Sequence, residues 1–389
     1  MVISKKNDSS RKIRLNNALK KSGAIWRRFI FNGSDTETGR ECMFFVELEM
    51  LNPFLSPDVP VLGFKERKKI SEEDLQYALA GTKAAHELPG ESFVTPSYIA
   101  VRAGTFGQNA KQLCGYYPVK RIKGGFRSEN IEVGKCIFTD NFIRGEISCS
   151  SSEQCLHPEY FCDSGLINWD LQYEILYSFP AEYTKKTDIW IPFGARTAFA
   201  GTVTFDGRRY RIVSKTSSGY IDLHAGHTLP LPWIHMSSSS LTSLISGKTL
   251  FNSCFAVHGL YENQLAMAVN LEENSITIKA GGRRQKINPV WECTQMPADE
   301  DGEKLHWSVS ADTKRWVIDI DVTCPTKELS VRNIELPDGE RKVMKHLACG
   351  TGTGEIRLYH HVGKNLELIE DAHIANALCE FGQLEMPEK

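Results

Sequence analysis

The sequence predicts an all-β fold, and three observations lead to that prediction. Apolar and polar residues alternate with a period of two in several segments, as they do in strands with one buried face. Turn signals rich in Gly, Asp and Asn recur roughly every 8–12 residues. Helical spacing of apolar residues is rare. This combination is typical of antiparallel sandwiches and barrels.

One segment near the C-terminus shows the alternation most clearly. Apolar side chains occupy every second position from Trp316 to Val322, whereas Asp319 and Asp321 stand between them. Successive side chains of a strand point to opposite sides of the sheet. We therefore expect a half-buried strand with one apolar face and one largely polar face.

Three hairpins are predicted. The clearest joins Val203–Phe205 to Arg208–Val213 through Asp206 and Gly207. Asp-Gly accepts the positive φ angles of a type I′ turn, which suits the twist of paired strands. The other two pair Arg27–Phe31 with Glu41–Glu47 and Leu265–Leu271 with Ser275–Lys279.

One helix is predicted with clear capping signals. Ser71 is a suitable N-cap, and acidic residues fill the first turn, where the helix dipole favours them. Pro89-Gly90 ends the segment. The segment Glu367–Phe381 could be helical by composition, but its apolar residues do not form one stripe, so we expect a final strand there.

Length and composition suggest two domains. The chain has 389 residues, with 41% hydrophobic residues, 24% charged residues and a formal net charge of −2. That balance gives no general attraction to nucleic acid, and none is expected as a partner. We expect a basic tail over residues 1–22, an N-terminal β domain over 23–190 and a C-terminal β domain over 191–389.

The cysteine pattern and the hydropathy indicate a soluble, cytoplasmic protein. The 11 cysteines are scattered and form no Cys-x-x-Cys pair, which favours reduced thiols. No signal-peptide pattern and no apolar run of about 20 residues is visible. Contact of the basic tail with a membrane surface is the minor alternative, so a peripheral membrane association stays open.

Five segments, taken in chain order, carry a family resemblance. They are the aromatic hairpin Ile25–Phe31 with Met43–Val46, the strand Ser97–Gly104, the central Gly219–Gly226 with its later Pro230, Pro232 and Trp233, and the two closing strands Gly352–Leu358 and Ala375–Gly382. Together they resemble the tocopherol cyclase family, a branch of the AttH and carotenoid-hydratase group of double-lipocalin proteins.

The resemblance implies two lipocalin-like (calycin-type) antiparallel β-barrel domains with one or two short helices. It also implies an elongated apolar ligand of the isoprenoid or prenyl-quinol type. Family cyclases protonate a prenyl double bond without any cofactor, and relatives hydrate carotenoids. The sequence departs from the family pattern at several positions, because His224 and Ala225 stand where the family tends to have Asn and Trp, and His227 where it tends to have a basic residue. After Trp233, His235 and Ser237 replace the usual aromatic residue and Gln.

The central segment supplies the candidate catalytic residues Asp222, Tyr220 and His224. Protonating an alkene requires a carboxylic acid in a dry pocket, where desolvation raises its pKa. Aromatic faces would then stabilise the resulting cation. Asp222 is the expected proton donor. The alternative is that Asp222 caps a turn or pairs with an arginine such as Arg209.

The candidate ligand-binding residues are aromatic or histidine side chains near the predicted strands. They are Trp233, His235, His227, Trp26 and Trp169. His224, His227 and His235 could also be spaced for zinc, which would make a metal-assisted hydrolase, but the intervening prolines disfavour this and no metal is expected.

Two functions of different class therefore stand side by side. The first is a cofactor-independent cyclase (an intramolecular lyase or isomerase) or hydratase with Asp222 as acid. The alternative is a non-catalytic lipid- or isoprenoid-binding protein, which the substitutions at His224 and Ala225 favour. The two differ in whether Asp222 lacks a salt-bridge partner.

Overall fold

The computed structural model describes residues 22–63, 95–123, 130–156, 162–179, 183–185, 188–227, 232–260, 264–280, 289–300, 302–337 and 343–384. The helix predicted from Ser71 and the basic N-terminal tail lie outside these residues. Where the chain is described, it is dominated by β-strands. Its helical parts are the α-helix α1 (Ser151–Leu156) and three single 3-10 turns, at Pro53–Leu55, Val119–Arg121 and Thr326–Glu328.

The strands form two antiparallel sheets, which confirms the predicted all-β class of two barrel-forming sheets. The first sheet comprises β1 (Ala24–Asp35), β2 (Glu41–Leu51), β3 (Tyr98–Thr105), β4 (Lys111–Tyr117), β5 (Ile131–Val133), β6 (Cys136–Phe138), β7 (Phe142–Cys149), β8 (Gly165–Tyr177), β9 (Tyr183–Lys185), β10 (Asp188–Phe205), β11 (Arg208–Ile212) and β12 (Gly219–Gly226).

The second sheet begins after this set and runs to the end of the described chain. It comprises β13 (Trp233–Ser238), β14 (Ser240–Ser243), β15 (Cys254–Leu260), β16 (Gln264–Leu271), β17 (Asn274–Ala280), β18 (Val290–Asp299), β19 (Gly302–Asp312), β20 (Trp316–Pro325), β21 (Ser330–Glu335), β22 (Val343–Val362) and β23 (Asn365–Leu384).

The predicted hairpins are present with their expected turns. Asp206 and Gly207, between β10 and β11, both have positive φ angles, 48° and 83°. The β1–β2 and β16–β17 pairs are the other two hairpins. The segment Glu367–Phe381 lies within β23, so its expected strand structure is confirmed.

The change of sheet lies further along the chain than the composition suggested. The expected boundary between residues 190 and 191 falls inside β10, which pairs with β8, β11 and β12 of the first sheet. The first sheet ends at Gly226 and the second begins at Trp233. Within the polar stretch near residues 184–188, Thr184 and Lys185 belong to β9 and Asp188 begins β10, both in the first sheet, so a polar stretch does not by itself mark a domain boundary.

Each sheet curves round an apolar core formed by one set of alternating side chains. The first core includes Phe29, Phe31, Phe44, Trp169 and Phe199. The second includes Trp307 and the alternating set Ile318, Ile320 and Val322 predicted for β20. Strand β4 packs beside β7, which brings distant parts of the first sheet together.

The opposite faces of β1 and β12 meet the second sheet. Apolar residues from both sheets form shared clusters there, so this junction is buried like a core. One cluster joins Tyr220 and Trp190 to Ala256 and Ala266, and another joins Trp26 to Trp233. We call this buried region the inter-sheet junction.

Candidate functional site

The inter-sheet junction brings together most of the predicted site residues. On β12, Ile221 and Leu223 point into the first core, whereas Tyr220, Asp222 and His224 point outward. This follows from strand alternation, because neighbouring side chains leave a sheet on opposite sides. The predicted segment therefore faces the junction, outside either barrel core.

Register places a basic residue directly beside the central carboxylate. Arg28 on β1 lies opposite Asp222 on β12, and Trp26 lies opposite His224. The Arg28 Nε donates to Asp222 Oδ1 at 2.8 Å, and a second guanidinium nitrogen donates to Oδ2. A third bond joins Arg28 to Glu380 on β23 of the other sheet. One guanidinium thus links the two sheets through two carboxylates.

Asp222 is surrounded by donors and is fully buried. Its Oδ2 accepts from Trp190 Nε1 at 3.0 Å and from the Tyr220 hydroxyl at 2.9 Å, in addition to Arg28. Burial by itself would raise the pKa of Asp222, but the charge and hydrogen bonds of Arg28 outweigh it and hold that pKa below its ordinary value. Asp222 is ionised in this arrangement.

This arrangement differs from the one that a proton-donor role for Asp222 requires. A proton donor needs a carboxyl group that stays protonated near neutral pH, which requires burial without a cation. Here Asp222 has the salt-bridge partner that the binding-protein alternative requires, and the partner is Arg28. Arg209, the partner considered from sequence, lies on β11 and is exposed.

A chain of buried polar groups continues from Glu380 through the second sheet. His346 Nε2 lies 3.2 Å from Glu380 Oε1, and Arg332 Nε donates to His346 Nδ1 at 3.2 Å. Arg332 then returns to the first sheet, donating to both oxygens of Glu47 at 2.8 and 2.9 Å. The nitrogen that accepts from Arg332 carries no proton, so Nε2 is the protonated nitrogen of His346.

This polar chain, from Asp222 through Arg28, Glu380, His346 and Arg332 to Glu47, is called the junction network. Five of its six side chains are at most 2% exposed, and Arg332 is 6% exposed. Buried ion pairs of this kind keep their charges only when each has a partner. The network therefore ties the two sheets in one relative position.

Indole rings cover the network on one side. The Trp26 ring lies under both guanidinium groups, with its centroid 5.1 Å from Arg28 Cζ and 5.3 Å from Arg332 Cζ. Its centroid is 5.3 Å from that of Trp233, whose Nε1 donates to Glu380 Oε2 at 3.4 Å. Cation–π contacts with desolvated arginines stabilise this arrangement.

Three histidines form a second group at the junction. His258 on β15 stacks on Trp190 at 5.0 Å between ring centroids and meets Trp233 edge-on at 4.6 Å. His224 and His235 lie 5.8 and 6.3 Å from it. We call His224, His235 and His258 the junction histidines.

The junction histidines are neutral and poorly satisfied. Burial lowers the pKa of His224 and of His235 to about 4, and lowers that of His258 well below its usual value. Among the described residues, neither ring nitrogen of His224 or of His258 has a hydrogen-bond partner, and Nδ1 of His235 has none either. Buried polar atoms are normally paired, so five unpaired ring nitrogens in one place are unusual.

Two predicted ligand-binding residues lie elsewhere. His227 follows β12, and its Nδ1 is 2.6 Å from the carbonyl of Ser22. Trp169 on β8 belongs to the core of the first barrel, where its ring covers Gly145 on the neighbouring strand. A Cβ at residue 145 would lie 2.3 Å from that ring, so Trp169 is packed as a core residue.

Several residues of the junction were not predicted as site residues from the sequence. They are Arg28, Glu47, Trp190, His258, Arg332, His346 and Glu380. One signal could have found some of them, because a charged residue at an otherwise buried position of an aromatic-rich strand calls for a buried partner. Arg28 and Glu47 both fit that description, and both lie in the hairpin predicted from Arg27–Phe31 and Glu41–Glu47.

Two general findings concern the described part of the chain. The described residues contain no group of three or more His, Cys, Asp or Glu side chains placed to hold a metal ion. Among the same residues, no helix is long and apolar enough to cross a membrane.

The similarities found between this chain and known proteins are to solved structures. No protein-family model and no curated protein matches the chain. A putative AttH from Nitrosomonas europaea has a TM-score of 0.43 and 7% identity, covering 90% of this chain and 92% of that one. Kievitone hydratase from Nectria haematococca has a TM-score of 0.38 and 11% identity, covering 94% and 91%.

Proposed function

We propose that this protein binds an elongated apolar ligand of the isoprenoid or prenyl-quinol type at the inter-sheet junction. The observation that carries the proposal is the set of unpaired ring nitrogens on His224 and His258, buried among indole rings. A buried imidazole without partners costs free energy, which a polar group of a ligand would recover. The ligand's polar end is assigned to these two side chains.

The apolar part of the ligand is assigned to the surface beside the junction histidines. His258 on β15 lies opposite Ala266 on β16, and Ala256 is on the same face of β15. These small side chains belong to the cluster that includes Ile30 and Phe45 of the first sheet. Small residues facing large apolar ones suit a long hydrocarbon chain lying between the sheets.

The first experiment identifies the ligand. Native mass spectrometry of freshly purified protein, followed by lipid extraction, should reveal a co-purified prenylated or polyene lipid. Farnesylated hydroquinone added to delipidated protein should quench tryptophan fluorescence, because Trp190 and Trp233 line the proposed site. Failure of both measurements would refute the proposed function.

A matched pair of variants locates the site. His258→Phe keeps an aromatic ring but removes the unpaired nitrogens, and should weaken binding of the hydroquinone about 10-fold, as expected for one lost hydrogen bond. His373→Phe changes an exposed histidine of β23 and should leave binding unchanged. Equal binding by wild type and His258→Phe would remove His258 from the site.

A second candidate is a cofactor-independent hydratase or cyclase, which is the activity implied by the tocopherol cyclase resemblance. Kievitone hydratase, one of the similar structures, is a hydratase by name. The observation in its favour is the pair of ionised carboxylates, Asp222 and Glu380, which flank Arg28 where its guanidinium lies over the rings of Trp26 and Trp233. Anions and indole faces both stabilise a carbocation. In this candidate the ligand separates Asp222 from Arg28, which raises its pKa so that it can donate the proton.

Asp222→Asn distinguishes the two candidates. If the protein only binds its ligand, neither wild type nor Asp222→Asn converts it, and the ligand is recovered unchanged from both. If it is an enzyme, wild type converts a prenylated substrate to a cyclised or hydrated product, while Asp222→Asn binds it and does not convert it. Equal turnover in both would exclude Asp222 as the acid.

A further inference from the structure

A second basic residue of β1 occupies a different environment, inside the first barrel. Arg27 lies on the same face of β1 as Ile25 and Phe29, which belong to the first core. Its side chain is partly buried, and one guanidinium nitrogen donates to the Tyr173 hydroxyl at 3.2 Å. The Tyr173 hydroxyl in turn donates to the Thr139 carbonyl at 2.6 Å, which fixes the acceptor in place.

Arg27 has no acidic partner among the described residues. The ion pairs of that part of the chain include Arg28, Arg102 and Arg332, but none involves Arg27. The Nε of Arg27 is buried and has no hydrogen-bond partner in the part of the chain that the structure describes. A guanidinium has five N–H donors, so Arg27 presents a positive charge and free donors to the barrel interior.

The surroundings of this charge are aromatic. The Arg27 Cζ lies 5.0 Å from the ring centroid of Phe29 and 5.3 Å from that of Phe193. Further rings extend from these into the core, with Phe29 5.8 Å from Phe138 and Tyr173 5.5 Å from Phe199. Aromatic faces hold a cation without neutralising it.

We propose that the first barrel binds a long-chain carboxylate, with the carboxylate on Arg27 and the hydrocarbon chain against the phenyl rings. Bidentate pairing with a carboxylate uses two parallel N–H donors of a guanidinium. Arg27 uses one N–H donor for its hydrogen bond to Tyr173, so other N–H groups of the same guanidinium can pair with a carboxylate. The ligand supplies the negative charge that no described residue supplies. This site is separate from the inter-sheet junction, which β1 faces with the opposite set of side chains.

The charge pattern excludes this ligand from the junction. There the two guanidinium groups of Arg28 and Arg332 already face the three carboxylates of Asp222, Glu380 and Glu47. An added carboxylate would increase an existing excess of negative charge. In the first barrel the same group meets an uncompensated cation, so a carboxylate distinguishes the two sites.

The test uses cis-parinaric acid, a fluorescent long-chain carboxylate, and its methyl ester. Wild-type protein should bind the acid roughly 10- to 100-fold more tightly than the ester, as expected for a charge-assisted hydrogen-bonded pair. Arg27→Gln should weaken acid binding by the same factor and leave ester binding within about 3-fold. Arg27→Lys, which keeps the charge, should retain an acid preference.

Two controls assign the effect to this position. Arg144→Gln removes an exposed arginine of β7 that pairs with Asp170, and should leave both affinities unchanged. His258→Phe alters the junction and should also leave acid binding unchanged. If Arg27→Gln does not fold, the acid-to-ester ratios of wild type and Arg27→Lys decide. No binding of the acid, an acid-to-ester ratio near one in wild type, or unchanged acid binding by folded Arg27→Gln would overturn the proposal.

Discussion

Arg27 and Arg28 are neighbours on one strand, and they occupy opposite electrostatic environments. Arg28 faces the inter-sheet junction and pairs with two buried carboxylates from different sheets. Arg27 faces the first barrel, where phenyl rings surround it and no described carboxylate pairs with it. Because neighbouring side chains of a strand point to opposite faces, Arg28 is a structural cation, whereas Arg27, the next residue, is the cation proposed to bind a carboxylate ligand.

The role of a buried charge depends on whether its partners belong to the protein. A charge whose partners all belong to the protein holds elements together, and its removal affects folding. A charge without a protein partner must be solvated or must meet a ligand, and its removal affects binding more than folding. The two arginines of β1 provide both cases with the same side chain.

The largest effect of a single substitution is expected from Arg28→Met. This change leaves Asp222 and Glu380 buried without their cation, and should lower the free energy of unfolding by about 3–5 kcal/mol. Urea unfolding followed by tryptophan fluorescence measures it. The double variant Arg28→Met, Asp222→Asn should recover part of the loss, because it also removes one unpaired charge. A loss below 1 kcal/mol for Arg28→Met would mean that the junction network does not tie the sheets together.

Acidification should also destabilise the junction, because it acts on several buried groups at once. Unfolded histidine has a pKa near 6.5, whereas that of folded His224 and of folded His235 is about 4, so the unfolded state binds more protons between these values. Stability is therefore complete above pH 6.5 and falls as the pH drops toward 4, by roughly 3 kcal/mol for each of these two histidines. Asp222 and Glu380, whose folded pKa values lie below their ordinary ones, add a further loss at lower pH.

Unfolding free energies measured at several pH values test this dependence. His224→Gln should reduce the slope between pH 6.5 and 4, because it removes one group that must stay neutral in the folded state. His373→Gln, at an exposed position, should leave the slope unchanged. An identical slope in wild type and His224→Gln would contradict the predicted burial of a neutral imidazole.

Glu47→Gln should have a smaller effect. It leaves Arg332 with Gln112 and His346 but without its carboxylate, and should cost about 1–3 kcal/mol of unfolding free energy. The ion pair between Arg28 of the first sheet and Glu380 of the second sheet remains in this variant. Thermal unfolding measures the change, and Glu132→Gln on the exposed side of β5 is the control. A Glu47→Gln protein as stable as wild type would confine the network to its Arg28 end.

Arg27→Met should have the smallest effect on folding, within about 1 kcal/mol of wild type. Its guanidinium makes one hydrogen bond to a described residue and no ion pair with one, and a methionine can fill the aromatic surroundings. Urea unfolding beside Arg28→Met provides the direct comparison. A loss as large as that of Arg28→Met would show that Arg27 is a structural cation too.

Much of the fold could be predicted from local signals. The hairpin at Asp206-Gly207 and the alternation in β20 depend on backbone geometry and burial within a few residues. The predicted site residues Tyr220, Asp222 and His224 of the central segment all lie at the junction, and their function stays a prediction. The role given to Asp222 could not be judged from the sequence, because its pKa depends on a cation far away along the chain.

Local sequence patterns specify which residues alternate and where the chain turns. They also place a phenol, an acid and an imidazole on one face of a strand. Tertiary structure decided what that face meets. Arg28 and Asp222 are 194 residues apart and Arg28 and Glu380 are 352 apart, and they come together only when the outer faces of two sheets pack. Period two gives each side chain a side of its sheet, whereas the partner on that side is set by the packing of the whole chain.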